Sequence, residues 1–433
     1  MTTREPQDVL PELQWRGLLH QAVDPEGLSR HLTSGQRLVY AGFDPTADSL
    51  TIGNLVPIMV LKHFQRAGHT PVVLAGGGTG LIGDPSGKTA ERQLLDRERV
   101  AANVAAQSAI FRRVLEFDGP TAAVTVNNAD WLTELSYIGV LRDVGKHFSV
   151  NAMIERDSVK SRLTTREQGI SYTEFSYMVL QAYDFFHLHR EHGVTIQAGG
   201  SDQWGNIVAG TELIRKSAAL GGGSAETFAV TAPLVTKADG GKFGKTEEGA
   251  VWLSPERTSP YAYYQFWLNV ADADAGPFLR MFTLLSRDEI EALEAAHAET
   301  PGRRGGQRAL ARAATSVLYG EPAMEEAEAA GKALFSGELS GLSEAMLDEV
   351  LSAVPSSTRR KDTIADTDLV DLLVETGLAK SKRESREFLQ NGSVSVNGQK
   401  ADADRRLSAN DLLHGSVVAL RRGKKAWHVT RWA

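Results

Sequence analysis

Between residues 37 and 75 the chain passes from a strand-forming stretch (37–43) through a segment with apolar residues at helical spacing (53–67, stopped by Gly68) into a second strand-forming stretch (71–75). Two strands joined by a helix-length crossover cannot form a hairpin, so they lie parallel. A parallel sheet needs cover on both faces, which makes the first half of the chain an α/β fold. The same pattern predicts strands at 122–127 and 195–198 and a helix over 173–186, with the sheet ending near Leu234.

From about residue 259 to 353 strand signals give way to helical apolar spacing, as in RDEIEALEAAHAE and RALARAATSVLYG. The polar segment 354–367, with Pro, Ser and a charge run, reads as a linker. At 433 residues the chain exceeds one compact core. The expected division is an α/β domain at 1–235, a loop region at 236–253, a helical domain at 254–353, the linker, and a small α+β domain at 368–433. The Rossmann-like parallel sheet belongs to the first of these.

Hydrophobic residues at 42% and charged residues at 23%, interspersed, exclude a disordered or fibrous chain. Without cysteine there are no disulfides, thiolate metal sites or cysteine nucleophiles. No signal-peptide pattern and no run of about 18 apolar residues occurs, so the expectation is a cytoplasmic protein with no membrane partner. The net charge of −7 is uneven: residues 356–433 hold 15 Lys+Arg against 10 Asp+Glu, leaving −12 on the first 355. The basic end is a candidate for a polyanion, or simply a solvated surface.

Four stretches carry candidate chemistry. AGGGTGLIGDPSGKT (75–89) follows a strand, and clustered glycines let backbone N–H groups approach a phosphate or zwitterion. The phosphate-loop spacing fails, because position 82 is Ile82 where glycine is required. YAGFDPTADSLTIGN (40–54) runs from a strand end into a helix N-terminus, whose unpaired N–H groups suit phosphates. Tyr177, Gln181 and Asp184, at i, i+4 and i+7, share one helix face and suggest a lined pocket, against the plainer reading of a polar surface stripe. KADGGKFGKTEEGAVWL (237–253) places Lys242 and Lys245 in a glycine-rich loop able to close on pyrophosphate. His187, His189 and His192 do not share a helical face, so no metal site is expected there.

Taken with GGSDQWGNI (199–207), these motifs occur in the order and spacing of the bacterial tyrosyl-tRNA synthetases, class I aminoacyl-tRNA synthetases, which the chain resembles over essentially its whole length. KFGKT (242–246) resembles that family's mobile signature loop. The C-terminal DLLVETGLAKSKRESREFLQNGSVSVNG resembles an S4-type RNA-binding module, with a turn at Asn397–Gly398 and a basic helix carrying Lys380, Lys382, Arg383 and Arg386.

The resemblance implies ATP-dependent activation of L-tyrosine to tyrosyl-adenylate, then transfer to the terminal adenosine of tRNA(Tyr). Tyr40 and Asp184 would meet the phenolic hydroxyl, a pair that suits a phenol better than an indole. Asp84, Tyr177 and Gln181 would bind the α-ammonium group. Gly42, Asp44 and Gln203 would sit near the ribose and the reacting carboxylate. Thr46, Lys88, Arg92, Lys242, Lys245 and Thr246 would grip the pyrophosphate. ATP would come with Mg2+, with no permanently bound cofactor, no metal site in the protein itself and no DNA partner, and the enzyme would be a homodimer. One departure stands out. The family's HIGH tetrapeptide is Thr51-Ile52-Gly53-Asn54 here, so both histidines are replaced. Gly53 still permits close approach of the nucleotide, and Thr51 and Asn54 can act as neutral donors to its phosphates. The replacement leaves open a catalytically weakened paralogue acting only as an RNA-binding protein.

Overall fold

A computed structural model of the chain describes residues 5–84, 95–156, 159–160, 163, 170–221, 226–241, 243–246, 249–352, 354–423 and 426–433. Its central sheet consists of β1 (Gln21–Ala22), β2 (Leu38–Phe43), β3 (Thr70–Ala75), β4 (Val124–Asn127), β5 (Ile196–Gly200) and β6 (Phe228–Ala232), in the order β1-β6-β5-β2-β3-β4. All neighbours are parallel except β1 against β6. The chain builds outward from β2 through β3 to β4, then returns to place β5 on the other side of β2. That reversal opens a crevice beyond the carboxyl ends of β2 and β5, where doubly wound sheets bind ligands.

Helix α1 (Leu55–Arg66) supplies the first crossover. Its apolar spacing predicts one buried face, yet ten of its twelve residues are buried. The cause is a second layer: the sheet packs on one side and α6 (Asp272–Phe282) on another. The polar residues that this encloses are provided for. Gln65 donates through Nε2 to the carbonyls of Glu116 and Thr121 at 2.7 and 2.9 Å, and Lys62 Nζ lies 2.9 Å from Glu116 Oε1. Helix α2 (Arg97–Val114) restrains the loop after β2, because Asn103 and Gln107 donate to the carbonyls of Pro45 and Ala47. Helices α3 (Tyr172–His192) and α4 (Trp204–Gly221) pack on each other beside β5.

Helices α5 (Pro260–Leu268), α6, α7 (Arg287–Glu299) and α8 (Gly305–Tyr319) complete the first of two compact units, which ends at Gly320. The buried Arg16 guanidinium closes the end of α6, donating to the carbonyls of Arg280, Thr283 and Leu285 at 2.9, 3.0 and 2.6 Å and to Glu12 at 2.6 Å. The free carbonyls of a helix C-terminus are thereby satisfied by a cation, the sign the helix dipole favours.

The second unit runs from Glu321 to Ala433. It contains α9 (Glu321–Ser336), α10 (Glu344–Val350), α11 (Leu369–Glu375), α12 (Lys382–Gln390) and a five-stranded sheet ordered β11-β10-β12-β13-β9. These strands are β9 (Ser356–Arg359), β10 (Val394–Val396), β11 (Gln399–Lys400), β12 (Val417–Arg422) and β13 (Ala426–Trp432). Asn397 and Gly398 turn β10 into β11 with φ of 48° and 84°, as an Asn-Gly hairpin signal predicts.

Two expectations are corrected here. The segment 354–367 is not a linker: Ser356–Arg359 is a strand parallel to Val429–Trp432, followed by a 3-10 turn that puts Ile364 into the core. An edge strand of Ser, Ser, Thr and Arg carries no apolar signature, and its partner lies about 70 residues away in sequence. The division between units falls at Gly320, inside the span expected as one helical domain, so α9 and α10 belong with the C-terminal sheet. Among the described residues no helix is long and apolar enough to cross a membrane.

Replacing Arg16 by alanine is expected to lower the unfolding free energy by about 3 kcal/mol, because buried carbonyls lose their donors. Replacing Arg287, a more exposed partner of the same Glu12, should cost under about 1 kcal/mol. Urea titration of both variants checks the contrast.

Candidate active site

The crevice at the β2/β5 reversal encloses about 670 Å3. Its lining unites the α/β candidates: Tyr40, Gly42, Asp44 and Thr46 from β2 and its loop, Thr51, Gly53 and Asn54 from the turn into α1, Asp84, then Tyr177, Gln181 and Asp184 from α3, and Gln203 after β5. The face shared by Tyr177, Gln181 and Asp184 is therefore a cavity wall rather than a surface stripe. Lys88, Arg92 and Lys242 lie outside the described residues. Lys245 and Thr246 are placed by backbone, as a two-residue strand paired with Gly249–Ala250. Lys380, Lys382, Arg383 and Arg386 are exposed on or beside α12 in the second unit, with Lys382 2.7 Å from Asp371.

At one end of the cavity Asp184 is 1% exposed. Trp131 Nε1 donates to its Oδ1 at 2.8 Å and Asn128 Nδ2 to its Oδ2 at 2.9 Å. Burial pushes its pKa up to about 7, with those two donors opposing the shift and Asp44 adding to it. The neighbouring Tyr40 hydroxyl is buried and has no hydrogen-bond partner among the described residues, while burial and the charge of Asp184 raise its pKa well above the ordinary value. An orphan hydroxyl costs roughly 1–3 kcal/mol unless a partner arrives, so this end of the cavity calls for a polar ligand group.

At the other end Gln203 Nε2 donates to Asp84 Oδ2 at 2.7 Å. Asn206 Nδ2 donates to Gln181 Oε1 and Gln203 Oε1 at 3.0 and 3.2 Å, so one amide on the first turn of α4 orients two glutamines. Tyr177 donates its hydroxyl to Asp44 Oδ2 at 2.8 Å. Asp202 also borders the cavity, its pKa raised by burial with Asp84 contributing.

The turn replacing the paired histidines is internally bonded. Thr51 donates both its N–H and its hydroxyl to Asn54 Oδ1, at 3.0 and 2.9 Å. A backbone N–H can only donate, so the atom facing it is the amide oxygen, which leaves Asn54 Nδ2 as the donor available to the cavity. The Thr51 hydroxyl hydrogen is already committed in this conformation, so the expected pair of donors is reduced to one. A β-carbon on Gly53 would meet nothing nearer than Thr51 Oγ1 at 3.8 Å, so packing within the protein does not demand glycine there.

The KFGKT segment rests against this turn. Gly244, at φ 77°, sits where a β-carbon would come within 2.4 Å of Ile52 Cγ2. Val251 N donates to Gly244 O, and Ile52 N donates to Val251 O. The ring of Phe243 enters an aromatic cluster, with centroids 5.9, 5.9, 5.1 and 5.2 Å from Phe266, Trp267, Phe278 and Phe282.

The first three glycines of the glycine-rich stretch, Gly76 to Gly78, are explained by packing. Gly76, Gly77 and Gly78 have no positive φ; they are bare because side chains occupy the space. A β-carbon on Gly76 would lie 2.3 Å from Asp44 Oδ1 and 2.7 Å from Thr79 Oγ1, and one on Gly77 would lie 2.2 Å from Asn127 Oδ1. The backbone N–H of Gly78 is spent on Asn128 Oδ1 at 2.7 Å. Sequence reasoning overlooked Thr79, Asn128, Trp131, Asp202 and Asn206. The signal available for Asn128 and Trp131 was their place just past the carboxyl end of a parallel strand. Gly76→Ala is expected to displace Asp44 and to cost about 1–3 kcal/mol of stability through overpacking, measured by thermal unfolding.

Comparison with known proteins identifies the family. Residues 34–336 match the family model of class I tRNA synthetases (W and Y), and residues 347–430 match a tyrosine–tRNA ligase SYY-like C-terminal domain. The chain is 52% identical to the tyrosine–tRNA ligase of Roseiflexus castenholzii, over 98% of this chain and 99% of the relative. It is 50% identical to that of Bacillus caldotenax, over 98% and 100%. Among solved structures, a C-terminally truncated mitochondrial tyrosyl-tRNA synthetase from Coccidioides posadasii superposes with a TM-score of 0.66 at 33% identity, covering 74% of this chain and 91% of that one. The chain belongs to the tyrosyl-tRNA synthetases, within the class I aminoacyl-tRNA synthetase family.

Proposed function

We propose that the cavity seats L-tyrosine with its phenol between Tyr40 and Asp184 and its ammonium group at Asp84, Tyr177 and Gln181, and ATP along Asp44, Thr46, Gly53 and Asn54. The observation that carries this reading is the buried, partnerless Tyr40 hydroxyl beside a buried carboxyl already oriented by two donors. A phenolic hydroxyl completes both groups: it accepts from Tyr40 and donates to Asp184. Phenylalanine would exclude water and satisfy neither, so selection follows from the unmet desolvation cost.

The tyrosine carboxylate attacks the α-phosphorus of ATP in line, the bond to pyrophosphate breaks, and tyrosyl-adenylate remains. No covalent enzyme intermediate is needed; positioning and charge stabilisation do the work. Asn54 Nδ2 donates to the phosphates where the family has histidine, and Gly53 leaves room for the nucleotide. Lys88, Arg92, Lys242, Lys245 and Thr246 take the departing pyrophosphate, with Mg2+ arriving on ATP as part of the substrate. A hydroxyl of the tRNA's terminal adenosine then attacks the adenylate carbonyl, and AMP leaves. Lys380, Lys382, Arg383 and Arg386 offer charge for tRNA phosphates.

A homodimer in the cytoplasm fits the same reading. Tyr137, Ile138 and Tyr172 are 63%, 71% and 64% exposed, and the two tyrosine hydroxyls lie 3.5 Å apart, giving an apolar patch of the kind that subunit interfaces cover. That the residues read here as tyrosine- and ATP-binding line one cavity supports the enzyme over the RNA-binding paralogue.

Purified protein is expected to exchange labelled pyrophosphate into ATP with tyrosine and not with phenylalanine or tryptophan. Asp184→Asn should narrow the preference for tyrosine over phenylalanine by at least about tenfold, since it places an amide donor against Asn128 or Trp131. Unchanged selectivity in that variant rejects the role given to Asp184.

A further inference from the structure

We propose that Thr79 is a positioning residue whose single hydroxyl ties the carboxyl group that selects the phenol to the carboxylate on the nucleotide side, so that both ends of the site are set by one continuous hydrogen-bond chain. The inference rests on the placement of tyrosine at Asp184 described above.

The chain has five members and runs without a break. Asn128 Nδ2 donates to Asp184 Oδ2 at 2.9 Å and also to Thr79 Oγ1 at 2.9 Å. Thr79 Oγ1 donates to Asp44 Oδ1 at 2.7 Å, and Asp44 Oδ2 accepts from Tyr177 at 2.8 Å. Asn128, Thr79, Asp184 and Tyr177 are all buried.

Its directions are fixed by chemistry. The Asn128 oxygen takes the N–H of Gly78, so the amide cannot turn over, and both its hydrogens point away to Asp184 and Thr79. Thr79 has one hydrogen. Having received a bond from Asn128, it has that hydrogen to give to Asp44, an acceptor. Valine has the same shape without the hydroxyl and serine keeps the hydroxyl, and the surroundings are tight, since a β-carbon on Gly76 would lie 2.7 Å from Thr79 Oγ1. Thr79 borders the cavity, yet its polar hydrogen is spent within the protein, so it acts through Asn128 and Asp44 rather than on substrate.

Removing this hydroxyl therefore loosens both ends at once. Asn128 loses the acceptor for one of its hydrogens, so its donation to Asp184 is less firmly directed, and Asp44 loses the Thr79 donor while keeping that of Tyr177. A residue that merely supports the fold would lower activation of every amino acid alike. A positioning residue changes the preference between tyrosine and phenylalanine, and changes the response to ATP with it.

The test is pyrophosphate exchange by full-length parent, Thr79→Val, Thr79→Ala and Thr79→Ser, with tyrosine and phenylalanine and over a range of ATP. Expected for valine is a preference for tyrosine narrowed by about tenfold and a KM for ATP raised several-fold, at an unfolding temperature close to the parent's. Serine, which restores the hydroxyl, should return both to within about threefold of the parent. If valine fails to fold, serine against alanine makes the same comparison. A parent that prefers tyrosine and a hydroxyl-free variant with the same preference overturn the proposal alone. A parent without that preference overturns the placement of tyrosine at Asp184, and this proposal with it.

Discussion

A carboxyl group held almost out of contact with water sets the terms for the first unit. Burying Asp184 is unfavourable in its charged form, and two donors, Asn128 and Trp131, only partly offset that cost, which is why its pKa rises to about 7. Both donors come from the segment that follows β4, whereas Asp184 is on α3. The sheet must therefore bring these two distant parts of the chain to the same end before the group is tolerable. The parallel order of β2, β3 and β4, with β5 returning beside β2, does so. Tyr40, on β2, completes the pocket from the floor, in register with Gln197 on β5.

The Asp44 side of the cavity is built by different means. Its loop after β2 is held by Asn103 and Gln107 of α2 through backbone carbonyls, and Asp44 is held by side-chain hydroxyls of Thr79 and Tyr177. The two signature segments meet directly, Gly244 closing on Ile52 and the strand-like stretch 251–253 pairing with Leu50 and Ile52 through backbone hydrogen bonds. Phe243 fastens the loop to the aromatic core shared by α5 and α6. The helical part thus provides an anchor for the loop that carries the two lysines. At the turn of Thr51 to Asn54, Thr51 holds the Asn54 amide in one orientation, which leaves its Nδ2 as a neutral donor.

Much of this was legible in the sequence, for identifiable reasons. Parallel strands announce themselves through apolar runs separated by crossover helices, and the i, i+4, i+7 placement of Tyr177, Gln181 and Asp184 describes one wall of a pocket whatever its contents. The Asn397–Gly398 turn is encoded by two residues that accept positive φ. What stayed hidden depends on contacts far apart in the chain. Strand β9 has no apolar pattern because its partner, β13, supplies the order. The glycines of 76–78 look like a phosphate cradle by composition, yet they are there because Asp44, Thr79 and Asn127 fill the places their side chains would take. Asn128, Trp131 and Asn206 orient other residues, and no local pattern distinguishes a side chain that orients another from one that faces solvent.

The most direct measurement is the titration of the Asp184 carboxyl by carbon NMR in the full-length protein, alone and saturated with tyrosine or phenylalanine. Ligand-free, the midpoint should lie near pH 7. Tyrosine should lower it, because the phenol donates to the charged form, and by linkage tyrosine should bind more tightly above pH 7 than below. Phenylalanine should not lower it. A ligand-free midpoint in the ordinary carboxyl range near 4, or an equal fall with both amino acids, would contradict the account.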